Sequence, residues 1–130
     1  MKQRKGNLFQ YYTKMLIITT IASFVSCTEL RKNGIEVIIV NNSSQTLKDI
    51  NFYTSEKAAL LLISDIRPNQ KTERFYSMNN HRIDGSYILE ITKNDSIFDI
   101  IDSGYYSNGF STNETVVYDV RNDTVFVEYK

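Results

Sequence analysis

The chain holds one histidine and one cysteine, and each limits the chemistry on offer. A hydrolytic triad needs a nucleophile, a His and an orienting acid within hydrogen-bond reach. His81 lies in Asn79-Asn80-His81-Arg82 with Ser77 and Asp84 nearby, but nothing around Ser77 resembles a nucleophile elbow. An exposed loop histidine is the favoured reading. A zinc site calls for three or four His, Cys or carboxylate ligands, and one His with one Cys cannot supply the usual soft set. No catalytic residue, metal or cofactor is therefore assigned, and a small hydrolase ranks last among the function classes.

Asp95, Asp99 and Asp102 form an acidic run around Ile97-Phe98. A calcium loop needs oxygens at alternate positions of an irregular backbone with a glycine at the turn. Here the acids alternate with strand-like apolar residues. On a strand Asp95 and Asp99 share a face about 13 Å apart, which suits a solvated strand edge better than a cation.

The stretch most suited to recognition is Ser103–Asn113, read as a Gly/Ser/Asn loop carrying three aromatics. Tyr gives contact area at little cost in rotamer freedom, and Asn and Ser adapt their hydrogen bonds. Tyr105, Tyr106, Asn108 and Phe110 are therefore the candidate binding residues, for a protein or glycan partner. The competing reading has the aromatics fold back to seal the core. Adjacent residues of an extended segment face opposite ways, so one tyrosine should be buried and one exposed, with Phe110 nearer the tip. Trp, the usual platform for sugars, is absent. Asp95-Ser96-Ile97 and Asp123-Thr124-Val125 match a bacterial O-glycosylation motif and make Ser96 and Thr124 candidate attachment sites.

Cys27 has a distinct setting. Lys2, Arg4, Lys5 and Lys14 precede it without any acid, and Met15–Val25 is uncharged and mostly apolar. A helix of eleven residues rises roughly 16 Å, about half the hydrocarbon thickness of a bilayer, so the run does not span comfortably. A basic segment followed by a short apolar one is the layout of a secretory signal. Phe24-Val25-Ser26-Cys27 resembles the lipobox of bacterial lipoproteins, with Phe24 in place of the usual Leu. That resemblance implies a diacylglycerol on the Cys27 sulfur, cleavage before Cys27 and acylation of the new amine. It also implies the cell envelope, with the body anchored to a membrane, the outer one facing the periplasm. An ordinary cleavage site that discards Cys27, or an uncleaved anchor, are the alternatives. Glu29 stands beside Arg31 and Lys32, so the acidic export signal of some surface lipoproteins is not evident.

Lys+Arg and Asp+Glu number 15 each in the 130 residues, but removing residues 1–26 leaves eleven basic against fifteen acidic residues. A body at −4 has no basic surface for phosphates, which excludes nucleic acid as a partner.

The elements that must position these residues have a period of two. Ile35–Val40 is β-branched and apolar on both faces, as in a central strand. Lys48–Thr54, Lys71–Tyr76, Ser86–Thr92, Ile97–Ile101, Thr115–Val120 and Thr124–Tyr129 alternate between turn formers. Ser55–Ile63 fits a capped helix and Leu60–Ile66 fits a strand, and the β surroundings favour the strand, after one helical turn at most. The expected architecture is all-β: a single antiparallel β-sandwich of seven or eight strands over 35–130, after a signal peptide at 1–26 and a lipidated Cys and tether at 27–34. Asp84-Gly85-Ser86-Tyr87 resembles the tyrosine corner of immunoglobulin-like domains, which implies a buried Tyr87 bonded to backbone near Arg82–Asp84. A transthyretin-like sandwich is the alternative. The resulting expectation is a membrane-anchored envelope lipoprotein with a non-enzymatic binding or structural role, an envelope inhibitor or immunity protein being the second reading.

Overall fold

The computed structural model describes residues 32–93 and 96–130, with backbone alone at 93 and 96–98. The expected signal peptide at 1–26, Cys27, most of the expected tether, Asp95 and the Ser96 side chain lie outside the described residues.

Nine strands and no helix make up the described residues. They are β1 (Gly34–Asn41), β2 (Leu47–Thr54), β3 (Leu60–Ile63), β4 (Lys71–Ser77), β5 (Gly85–Lys93), β6 (Ser96–Ser107), β7 (Phe110–Ser111), β8 (Thr115–Val120) and β9 (Val125–Tyr129). One sheet has the order β4-β1-β8-β9 and the other β3-β2-β5-β6-β7. Two sheets of four and five strands are compatible with a β-sandwich. Two corrections to the expected architecture follow. A ninth strand exists because β6 runs on to Ser107 and pairs with β7. The fold is also not wholly antiparallel, since β1 runs parallel to β8, with Glu36 opposite Thr115 and Asn41 opposite Val120.

The period-two pattern explains the core. Along β1, Ile35, Val37 and Ile39 are fully buried. They lie between β4 on one side and β8 on the other, the central position that their β-branched run suggests. Phe52 of β2 links the two sheets, with its ring 5.0 Å from Tyr76 of β4 and 6.2 Å from Tyr118 of β8. Burying an aromatic or aliphatic side chain of this size contributes about 1.5–3 kcal/mol. The 55–66 stretch is a strand rather than a helix, but a shorter one than expected: Ser55–Lys57 turns, with Lys57 N–H bonded to the Thr54 carbonyl, β3 covers Leu60–Ile63, and Ile66 makes only an isolated bridge to Leu47. β3 is an edge strand that leaves Leu60 and Leu62 exposed.

Tyr87 is buried as expected, but its hydroxyl is not bonded to backbone near Asp84. It donates to Ser111 Oγ at 2.8 Å, across to β7. Backbone near Asp84 is engaged elsewhere, since the Ile83 carbonyl accepts from Gly109 N–H. Burial pushes the Tyr87 hydroxyl up to about 12. Tyr87→Phe should therefore lower stability by about 1 kcal/mol, the usual net worth of one hydrogen bond. A urea midpoint that falls with the far-UV spectrum unchanged is the expected result, and an unchanged midpoint would contradict it.

Candidate functional site

The segment expected to be a loop is a hairpin. β6 and β7 join through Asn108-Gly109, with φ of 50° and 75°. Both values are left-handed, as a two-residue type I′ turn requires, and Asn-Gly is the pair that tolerates them best. Gly109 is also required by space: a Cβ there would run into the His81 carbonyl and the Arg82 nitrogen.

A second glycine decides which tyrosine faces inward. Gly85 is opposite Tyr106 and Tyr87 is opposite Ser103, so β6 carries one residue more than β5 over this interval. The extra residue is taken up at Gly104, whose φ of 66° marks a bulge built on a left-handed glycine. Ile101 and Ser103 face inward before the bulge, and Tyr106 faces inward after it. Without the extra residue the inward position would fall on Tyr105. Tyr106 is accordingly fully buried, whereas Tyr105 is 50% and Phe110 63% exposed. One tyrosine in and one out is the expected arrangement, but it arises within a strand rather than a loop.

The outer face of the hairpin presents Tyr105, Ser107 and Phe110, with Ser107 directly opposite Phe110. Asp84 fastens this face from below. Its carboxylate accepts from the Tyr105 hydroxyl at 2.7 Å, from Asn108 N–H at 2.7 Å and from Ser107 Oγ at 3.1 Å. The Tyr105 hydroxyl and then the Asn108 amide hold the Asp84 carboxyl below its ordinary value of 3.8. The same bond raises the Tyr105 hydroxyl. Because the folded value is the lower one, this support is present above pH 3.8 and is lost as pH falls through the depressed value. The difference in unfolding midpoint between wild type and Asp84→Asn should be largest near neutrality and close in acid. A difference independent of pH would show that the charge does not hold the hairpin.

His81 is not the exposed loop histidine its neighbours suggest. Its side chain is 1% exposed. The turn from Met78, closed by His81 N–H on the Met78 carbonyl, swings the ring into the core. Nε2 lies 2.8 Å from Thr54 Oγ1 and 3.2 Å from the Tyr76 hydroxyl. The ring meets Tyr106 edge-on at 5.7 Å. Nδ1 has no protein partner. The hydrogen-bond partners are hydroxyls rather than a carboxylate, and Ser77 and Asp84 are not among them.

Asp99 and Asp102 are exposed on β6, as residues of a solvated edge should be. Among the described residues no three His, Cys or acidic side chains gather as metal ligands would. Thr124 is exposed in the turn between β8 and β9.

Sequence reasoning missed Asn33 and Ile83. Asn33 Nδ2 donates to the Gly109 carbonyl at 2.9 Å and to the Met78 carbonyl at 3.1 Å. Ile83 is exposed beside the Gly109 turn. The start of the described chain, the 78–84 segment and the hairpin tip therefore form one end of the body. Neither residue carries a sequence signal, because long-range pairing brings them there. No protein-family model, curated protein or solved structure matches this chain.

Proposed function

We propose that the chain is a lipid-anchored protein of the bacterial cell envelope, held by acylation of Cys27 and acting without catalysis through contacts at the outer face of the β6–β7 hairpin. The observation that carries the reading is the order of the first 27 residues: basic segment, short apolar run, then Val25-Ser26-Cys27 with the chain's single cysteine. A thiol in that position is the nucleophile that lipid transfer uses, and several acyl chains together hold a protein firmly on a membrane. The exposed Tyr105 and Phe110 support a contact role for the hairpin, with Asn108 shaping its turn and Tyr106 acting as its root in the core. The hydroxyl partners of the enclosed His81 support a non-catalytic role. The sandwich is read as immunoglobulin-like or transthyretin-like; the side-chain bond of Tyr87 withdraws the corner that favoured the first.

Cys27→Ser should abolish fatty-acid labelling and move the body to the soluble envelope fraction. A wild-type protein that is already soluble, or a mature chain beginning at Thr28, would overturn the reading.

A further inference from the structure

Where the chain enters the body is informative. Asn33 is bonded to the hairpin turn through the Gly109 carbonyl, so the last residues before β1 lie against the tip of the β6–β7 hairpin. Five residues separate Asn33 from Cys27, and the six fully extended steps between them reach at most about 20 Å. Of the large exposed apolar side chains among the described residues, Ile83, Tyr105 and Phe110 belong to this same end. Ile83 adjoins the turn through its carbonyl on Gly109 N–H. Phe75 flanks the end from the other sheet, its ring lying over Gly34.

We infer that this end faces the bilayer holding Cys27, and that Ile83, Tyr105 and Phe110 seat in its headgroup region. The inference rests on the anchored reading and names the partner of the hairpin surface as the lipid itself. Amphipathic rings such as Tyr settle at the boundary between water and acyl chains. Charges at this end balance: Lys32, Lys57, Arg82 and Lys130 stand with Glu36, Glu56, Asp84 and Glu114. Asp84 is met by three donors, and Glu56 accepts from Arg82 N–H with both oxygens. Apolar contact rather than charge attraction therefore drives the seating, which makes it insensitive to salt and to anionic lipid. Three side chains would bind a membrane only weakly alone. Tethered to acyl chains, their insertion becomes an intramolecular step with a high effective concentration.

The test uses the full-length acylated protein in phosphatidylethanolamine–phosphatidylglycerol vesicles. With Cys27 acylated, an introduced cysteine is the chain's single free thiol. One sample carries a fluorophore at Asn80→Cys, beside the hairpin turn. Another carries it at Asp123→Cys, in the turn beyond β8, about 25 Å away along the strands. A quencher borne on the lipid should dim the Asn80 probe severalfold more than the Asp123 probe. Adding Ile83→Ser and Phe110→Ser should reduce that quenching to the Asp123 level while the protein stays on the vesicles.

Equal quenching at both probes, or quenching at Asn80 unaffected by the two serines, overturns the seating and leaves the anchor standing. A probe that is wet on pure lipid but shielded on native envelope membranes also overturns it, and identifies a protein partner instead. Wild-type protein that takes up no fatty acid overturns the anchor and the seating together.

Discussion

Tyr106→Ala should destabilise the body by about 3–5 kcal/mol, as expected for emptying a buried aromatic site, whereas Phe110→Ala should stay within about 0.5 kcal/mol and Tyr105→Ala should lose no more than its hydroxyl's contact with Asp84. The contrast follows from the rings around Tyr106: Tyr87 at 5.5 Å and His81 at 5.7 Å would both face a cavity. For a domain of this size, 1 kcal/mol moves the thermal midpoint by about 4–8 °C, so the three variants separate clearly in one melting experiment. Tyr106→Phe is the informative companion. Its hydroxyl is buried without a protein partner, so removing it should be close to neutral, unlike Tyr87→Phe. Comparable losses at 105, 106 and 110 would mean that all three seal the core, and the hairpin would then present no contact face.

Gly104→Ala should be nearly as damaging. A Cβ in the left-handed region costs about 1–2 kcal/mol, and overpacking commonly adds about 1–3 kcal/mol. Both apply here, because φ is 66° and a Cβ would run into the ring and hydroxyl of Tyr129. That hydroxyl donates to Ser103 Oγ at 2.9 Å, which also meets the Tyr118 hydroxyl at 3.1 Å. Displacing Tyr129 therefore disturbs a partly buried polar contact between the sheets as well as the bulge. Urea unfolding of Gly104→Ala checks this, and a midpoint equal to wild type would show that the bulge can be rebuilt without a glycine. Tyr105 and Tyr106 should respond together, since the bulge sets the face on which each lies.

These two residues also show where the sequence is readable. The β-branched run of Ile35–Val40, apolar on both faces, identifies β1 as central, while the structure fully buries only the face of Ile35, Val37 and Ile39, with the period of two that a regular strand imposes. The same rule fails at Gly104, since an inserted residue shifts the phase and a glycine in a polar stretch looks like a break. Asn108-Gly109 is a hairpin signal in plain view. It is masked by its Ser and Asn neighbours, which suit a long loop equally well. His81 is opaque for a different reason. Its local surroundings are polar, and the groups that bury it, Thr54, Tyr76 and Tyr106, come from three strands. The candidate contact face was legible as a set of residue types. Its location beside Asn33 was not, because that depends on the parallel pairing of β1 with β8.

That pairing also sets an order of events. Glu36 meets Thr115, about 80 residues downstream, and contacts so distant in sequence form slowly because a long loop must close first. While the chain is being made, β1 can find β4 but must wait for β8, so one sheet stays incomplete until nearly the whole polypeptide has emerged. On the proposed reading of an exported chain, this delay would keep the polypeptide threadable until it has crossed the membrane. The delay has a cost in exposure. Until β8 arrives, β1, with its five β-branched apolar residues, has a bare edge, a ready template for pairing with another chain. Truncation before Thr115 should therefore give aggregation rather than a smaller stable domain.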